Sequence, residues 1–367
     1  MREDFMIRQK RKGFSVFLLS AVAVWLMAYS VFVPDRVMAT ARSALGIFAY
    51  SVLPSIALFS VCAKLLLKTN VLSSPFMRKL QPLLEPIGMS SSGFAAFLVG
   101  SFAGFPMGAA MLADLCKNKD ISRAEAVSLL PFCNQAGAAF LVGTVGEALL
   151  GDVRKGYSLL FAQTATAWIC VCLTAHERSR GNKKEAVGGI CEVSIFSALT
   201  EAVRESVFAM LGVCGSIVFF SLVSTALFDT LRSLGLSLGG VLCTVIGGFL
   251  EISCGFVSLS EIVLSEEGVL CLGGMILGFG GICVFMQAME RTEKICCSPR
   301  KYFEGKLLSG AICPLLALAF FRISENDNGK FLSIASFLFV ICIFYFFNCL
   351  KIKFFSKKCG KLERNAV

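Results

Sequence analysis

Two apolar stretches of this chain recur at a fixed separation of 147 positions, and glycine or proline interrupts each of them. GSFAGFPMG at residues 100–108 aligns with GGFLEISCG at residues 247–255. In the same register, LPFCNQA at 130–136 aligns with LGFGGIC at 277–283. Paired Gly/Pro-interrupted segments in two halves of a membrane protein are the best sequence pointer to a transporter's binding site. The chain is therefore predicted to contain two related halves, each with broken helices.

The composition places these segments in a membrane. Of 367 residues, 56% are hydrophobic and 16% are charged, whereas soluble domains carry about 25% charged residues. Several apolar runs reach the roughly 20 residues that cross a bilayer. The first run, 14–33, follows basic residues but no small-residue cleavage site follows it, so we interpret it as a retained helix. We predict an all-α polytopic membrane protein.

The apolar runs predict about eight crossings and two re-entrant hairpins. The segments 92–113 and 238–257 are glycine-rich and interrupted. Irregular backbone at membrane depth persists only where protein or a water-filled cavity satisfies it, so these two are interpreted as the hairpins. The crossings are predicted near 14–33, 44–67, 122–150, 156–175, 206–228, 268–290, 303–322 and 331–349.

The basic residues support this layout, because Lys and Arg concentrate in cytoplasmic loops. The layout places 27 of the 35 on the cytoplasmic side, Lys306 among them, and 7 outside, with Lys64 inside a span. Both termini are then cytoplasmic. The net charge of +10 is explained by topology, so no nucleic-acid partner is expected. Each half has three crossings, and an odd number makes the second half inverted relative to the first.

The predicted organisation has five parts. They are an N-terminal helix at 1–43, a first gate-like repeat at 44–177, a cytoplasmic linker with a surface helix at 178–204, a second inverted repeat at 205–322, and a C-terminal helix with a basic tail at 323–367.

Candidate solute-binding residues cluster at the predicted breaks. The first break holds Gly104, Phe105, Pro106 and Gly108, because proline removes a backbone donor and glycine permits turns closed to other residues. Ser101 lies about one helical turn earlier and is predicted to face the same cavity. The alternative is helix packing through small residues, which is common in membranes.

In the second break, Asn134 and Gln135 occupy the middle of a predicted crossing. Unpaired amides in hydrocarbon are costly, so both should face the bundle or a cavity. Asn134 is predicted to contact solute where the helix unwinds, and Gly137 would let a second half-helix begin. Interhelical hydrogen bonding is an equal alternative.

The second half offers the corresponding groups. Glu251 and Ser253 lie in the second hairpin, and a carboxylate at that depth marks a functional site by default. It would bind a cation, carry a proton or accept a hydrogen bond from the solute. The alternative is that the hairpin is shallow and Glu251 is exposed to water at the surface. Gly280 and Gly281 form the matching break, and Gln287 follows it as a buried amide.

The sequence gives little support to a catalytic site or a metal site. The 17 cysteines are scattered through apolar runs, where a free Cys behaves as a small hydrophobe. There is one histidine and no Cys/His/Asp cluster with ligand spacing, so we expect no metal. Hydrolase and ATPase motifs are absent. No cofactor is expected, and an intramembrane enzyme is the weakest class because no nucleophile–base pair is present.

Several of these motifs resemble the nucleoside-recognition, or gate, domain family. More closely, the chain resembles the sporulation integral membrane proteins of the YlbJ type. The resemblance covers roughly residues 45–320. It rests on GFPMG at 104–108, SRAEA at 122–126, FCN at 132–134, GTVG at 143–146, GFLE at 248–251, GFGG at 278–281 and Gln287.

The resemblance implies inverted repeats like those of concentrative nucleoside transporters. It also implies a link to moving dipicolinic acid across the outer forespore membrane of a sporulating bacterium. We therefore expect a secondary transporter of a small polar or anionic solute in the cell membrane, with the lipid bilayer as a partner. A coupling proton or sodium ion and an oligomer are left open. A nucleoside permease and a non-transporting scaffold in spore-envelope assembly are the alternatives.

Overall fold

The computed structural model describes residues 2–68, 79, 81–178, 195–295 and 297–325, and its regular structure there is entirely helical. Helices α1 to α6 are Arg2–Phe32, Pro34–Ile47, Leu53–Lys68, Gln81–Leu84, Ser91–Ala103 and Met107–Lys117. Helices α7 to α15 are Arg123–Cys133, Val153–Leu173, Ala175–Arg178, Ile195–Ser233, Gly240–Leu250, Ile252–Glu261, Glu266–Phe279, Gly281–Arg291 and Pro299–Glu325. Phe48–Val52 and Phe140–Leu149 are π-helical.

The described residues contain four helices long and apolar enough to cross a membrane. These are Val153–Leu173, Phe196–Ser233, Glu266–Arg291 and Pro299–Glu325. A fifth candidate is the pair Val16–Phe32 and Pro34–Val52, which is bent by 106°. The chain is thus a multi-pass integral membrane protein. The count of about eight crossings stays a prediction, and the crossing at 331–349 lies outside the described residues.

Ion pairs lie at two levels along the long helix α10. At its C-terminal end, Asp229 pairs with Arg36 at 3.1 Å. In its N-terminal half, ten residues after Ile195, Glu205 pairs with Lys64 at 3.2 Å, and Lys64 also reaches Asp114 at 3.1 Å. The 24 residues from Glu205 to Asp229 span about 36 Å of helix, close to the roughly 30 Å hydrocarbon core of a bilayer. The two sets of ion pairs are therefore separated along α10 by about the thickness of a bilayer.

The same order of interrupted helices occurs twice. In the first half, α5 and α6 are separated by residues 104–106, and α7 is separated from the next half-helix by residues 134–137. In the second half, α11 and α12 meet at Glu251, and α13 and α14 meet at Gly280. A long helix, α8 or α15, follows each broken helix. The breaks thus fall at the positions that the sequence alignment pairs.

Glycine lets each pair of short helices fold back tightly. A Cβ added to Gly108 would lie 3.1 Å from the Cα of Gly100, and one added to Gly255 would lie 2.4 Å from the Cα of Gly248. Side chains on these residues would push the two helices of each hairpin apart. In the second hairpin the hydroxyls of Thr244 and Ser258, each seven residues from Glu251, lie 3.0 Å apart. The two helices therefore run antiparallel.

The predicted surface helix is the N-terminal part of a longer helix. Helix α10 begins at Ile195 and continues to Ser233 as one element, so the predicted boundary at 204/205 falls inside a helix. The physical reason is that residues 195–211 contain neither glycine nor proline to end the helix. Residues 179–194 of the predicted linker and the basic tail from 326 onward lie outside the described residues.

Candidate functional site

The first break brings the two halves of the first repeat into contact. Helix α5 ends at Ala103, and Gly104 adopts a positive φ of 81° that favours glycine. The Phe105–Pro106 peptide that follows is cis. A Cβ on Gly104 would lie 2.7 Å from the backbone nitrogen of Gly137, so the first break packs directly on the second.

A backbone carbonyl fixes this contact. The Cys133 oxygen, at the end of α7, sits in a notch between Gly100 and Gly108, where a Cβ on either glycine would come within 1.8 Å of it. A helix end leaves its last carbonyls without intrahelical partners. The notch therefore explains why Gly108 is glycine, although Gly108 lies within α6 and not in the break at 104–106.

The second break is satisfied by side chains from other helices. The Gln163 amide of α8 clamps Ala136, accepting from its N–H at 2.9 Å and donating to its carbonyl at 3.0 Å. Gln135 donates to Ser101 Oγ at 3.1 Å and to the Phe132 carbonyl at 2.7 Å. Irregular backbone at membrane depth is tolerated only with such partners. Sequence analysis missed Gln163.

Asn134 is fully buried and bound across the bundle. Its Nδ2 donates to the Tyr302 hydroxyl at 3.1 Å, whereas its Oδ1 has no hydrogen-bond partner among the described residues. The Oε1 atoms of Gln135 and Gln287 are likewise unpartnered in the described part of the chain. Buried amides normally satisfy their oxygens, so these atoms mark places where water or a ligand would complete the bonding.

The third break is built on a carboxylate. Glu251 ends α11 and caps α12, because its Oε2 accepts from the Cys254 N–H at 2.9 Å. The residue is 4% exposed. A negative charge at a helix N-terminus is favourable, and this contact offsets part of the cost of burying the carboxylate. Glu251 is therefore buried inside the protein and is not exposed on its surface.

Two successive glycines form the fourth break. Gly280 and Gly281 have positive φ angles of 84° and 76°, so other residues would be strained at both positions. A Cβ on Gly281 would lie 3.3 Å from the Gly248 carbonyl oxygen and 3.5 Å from that of Leu250. The fourth break thus packs on the third, as the second packs on the first. Gln287, two turns later, donates to Cys283 Sγ at 3.4 Å.

One cavity is lined by the first three breaks and by the helix that begins at the fourth. About 50 Å³ of it is wide enough to admit water, which is room for a few molecules. Its polar lining is Glu251, Ser253, Gln287 and Cys283, and the remainder is mostly apolar. The first three breaks contribute Phe105, Ala136, Gly137 and Glu251, while α12 contributes Ile252 and Ser253 and α14 contributes Cys283, Val284 and Gln287.

The predicted residues divide around this cavity. Phe105, Glu251, Ser253 and Gln287 line it. The side chains of Ser101, Asn134 and Gln135 are buried behind it, while Gly104, Gly108, Gly280 and Gly281 shape the breaks. Pro106 instead borders a second cavity of about 290 Å³, which is also lined by Lys64, Glu205 and Arg291. No metal-ligating group of three or more residues occurs in the described residues.

Sequence analysis misplaced one charged residue. Lys306, counted among the cytoplasmic cations, is 4% exposed and its Nζ donates to the Asn134 carbonyl at 2.7 Å. It lies within α15, on the buried stripe Tyr302, Lys306, Ser309 and Cys313. That spacing of four, three and four residues is one helix face, and this pattern was the available signal.

Comparison with known proteins finds a distant relative that is described as an integral membrane protein. No protein-family model matches the chain, and no solved structure matches it. The chain is 24% identical over 350 residues to the sporulation integral membrane protein YlbJ of Bacillus subtilis (strain 168). The similarity covers 84% of this chain and 83% of that protein. The chain is therefore a distant relative of a sporulation integral membrane protein along most of its length.

Proposed function

We propose that this protein is a secondary transporter of a small polar or anionic solute. The observation that carries the proposal is one cavity that contains a carboxylate and is lined by three helix breaks and by the helix that begins at the fourth. Discontinuous helices around a midplane site are how secondary transporters bind their substrates. A scaffold has no need of a buried carboxylate or of unpartnered amide oxygens at that depth.

The ends of α10 support an inverted arrangement of the two halves. Asp114, near the end of the first hairpin, shares Lys64 with Glu205 in the N-terminal half of α10. The second hairpin begins at Gly240, seven residues beyond the C-terminal end of α10 at Ser233. These positions support two hairpins that approach the cavity from opposite faces. Inverted repeats of this kind exchange conformations in alternating access.

The first break separates the two cavities. Phe105 lines the central cavity, whereas Pro106 and Met107 line the 290 Å³ cavity beside Lys64 and Glu205. The central space is too narrow for an aromatic solute, since ligand sites usually measure about 300–1,000 Å³. Movement of the tip at Phe105 and Pro106 would enlarge the site and connect it to the second cavity. We assign this tip as the gate on the Glu205 side.

Glu251 is proposed as the coupling or solute-contacting carboxylate. Burial disfavours a charge, so a proton or a sodium ion at Glu251 would offset the cost of taking the carboxylate out of water. A cation that binds together with the solute would couple transport to a gradient. This role is consistent with the position of Glu251 in the cavity lining beside Ser253 and Gln287.

The biological setting is proposed from the distant relative. Its description as a sporulation integral membrane protein favours a role during spore formation. Dipicolinic acid is then the candidate solute, and the outer forespore membrane is the candidate location. Both termini are proposed to be cytoplasmic. A nucleoside is the alternative solute, because the gate-like motifs resemble those of nucleoside carriers.

Uptake into proteoliposomes tests the proposal. Purified full-length protein would be reconstituted and assayed with dipicolinate and with uridine, each with and without a proton or sodium gradient, against protein-free liposomes. Uptake of either solute above the protein-free level is expected. Folded, inserted protein that moves neither solute under any gradient would favour the scaffold and refute the transporter.

A further inference from the structure

Lys306 is a buried cation held only by neutral groups. Its Nζ donates to the Asn134 carbonyl at 2.7 Å and lies 5.9 Å from the ring centre of Phe105 and 5.8 Å from that of Tyr302. Within the described residues no carboxylate pairs with it. By contrast, Lys64, Lys68 and Lys155 each pair with an acidic residue.

Such a lysine is costly. Burying a charge without an opposite charge carries a penalty of several kcal/mol, and a carbonyl and two ring faces offset it only in part. Replacement by an apolar residue of similar length would remove the penalty. A structural tether between helices therefore does not by itself explain a lysine at this position, because an uncharged donor would serve it.

The surroundings of Lys306 are the moving parts of the proposed transporter. Its partners Phe105 and Asn134 belong to the first and second breaks, and a Cβ on Gly280 in the fourth break would lie 3.5 Å from its Nζ. It also lines a small space with Gln135, whose Oε1 is unpartnered in the described residues. Lys306 thus contacts three of the four breaks.

We propose that Lys306 selects anionic solutes by supplying the positive charge that pairs with a solute carboxylate. The inference rests on the proposed transport function and adds the residue that sets charge specificity. The Phe105 ring lies beside Lys306 Nζ and lines the central cavity, so displacement of the gate exposes the ammonium group to a bound solute. Glu251, in the same cavity, remains available to the coupling cation.

The test compares two solutes of the same shape and different charge. Binding of pyridine-2,6-dicarboxylate and of its uncharged diamide would be measured by calorimetry on purified full-length protein. The variants are Lys306→Met, Lys306→Arg and the control Lys301→Gln, which alters an exposed lysine on the same helix. Loss of one charge-assisted contact should lower affinity for the dianion on the order of tenfold or more in Lys306→Met.

The expected pattern is specific to charge. Lys306→Met should bind the diamide as the wild type does, Lys306→Arg should keep most of the preference for the dianion, and Lys301→Gln should match the wild type. Equal affinities of the wild-type protein for the two probes would overturn the inference, even if Lys306→Met fails to fold. An unchanged preference in Lys306→Met would do so as well.

Transport separates this inference from the proposed function. Wild-type uptake of a neutral solute, with no preference for the dianion, would keep the transporter and reject Lys306 as its selector. Folded wild-type protein that neither binds nor moves any probe would reject the transporter and the inference with it.

Discussion

Substituting Gly108 by alanine should destabilise the protein by a predictable amount. The added Cβ would lie 1.8 Å from the Cys133 oxygen, whereas real Cβ contacts essentially never fall under 3.0 Å. The obstacle is a backbone atom and cannot rotate away. Overpacking usually costs about 1–3 kcal/mol, and a shift of more than 1 Å in a broken helix belongs at the upper end. For a chain of 367 residues, about 3 kcal/mol corresponds to roughly 4 °C in melting temperature.

Gly46→Ala is the matched control. Gly46 also lies in a helix, but nothing lies within 4 Å of an added Cβ, so alanine should be neutral or stabilise by up to about 1 kcal/mol. The melting temperature of both variants would be measured in detergent. After heating, the fraction of protein that remains monodisperse would be determined by fluorescence-detected size exclusion. A Gly108→Ala protein that melts at or above the wild-type temperature would refute the notch between the first hairpin and the second break.

Three further predictions concern transport and topology. Asn134→Ala should abolish uptake while leaving the protein inserted, and normal uptake would return Asn134 to a packing role. Wild-type uptake should depend on pH or on a cation gradient, and Glu251→Gln should lose that dependence because it removes the charge; identical profiles and rates would exclude Glu251 from the mechanism. On a cysteine-depleted background, Asn118→Cys should be labelled only from the cytoplasmic side, and labelling from outside would sink the proposed topology.

The positions of the breaks could be predicted because they follow from local chemistry. Gly104, Pro106, Gly280 and Gly281 impose backbone geometry wherever they stand, and the structure has non-helical backbone at each of these breaks. Glu251 is similar, since it caps the helix that starts at the next residue. A sequence alignment can therefore find such features without knowing what packs against them.

The partners of the breaks could not be predicted, because they come from distant parts of the chain. Gln163 reaches Ala136 across 27 residues, Tyr302 reaches Asn134 across 168, and Lys306 reaches it across 172. Lys306 was also assigned to the cytoplasm. The distribution of Lys and Arg indicates on which side of the membrane a loop lies, but it does not indicate how deeply a residue is buried. The spacing of Tyr302, Lys306, Ser309 and Cys313 on one helix face was the sequence pattern that pointed instead to burial of Lys306.

Hydrogen bonds from the other half hold the second break but not the third. This difference affects the free energy needed to separate the two halves. The second break depends on α15 of the other half, through Tyr302 to the Asn134 amide and Lys306 to its carbonyl. In contrast, Glu251 caps its own half-helix. Separating the halves at this level breaks one neutral and one charge-assisted hydrogen bond, together about 2–4 kcal/mol. A solute carboxylate that replaces the carbonyl at Lys306 would return a similar amount. The cost and the return are then nearly equal, so we expect solute binding at Lys306 to shift the equilibrium between the two arrangements by its differential affinity for them.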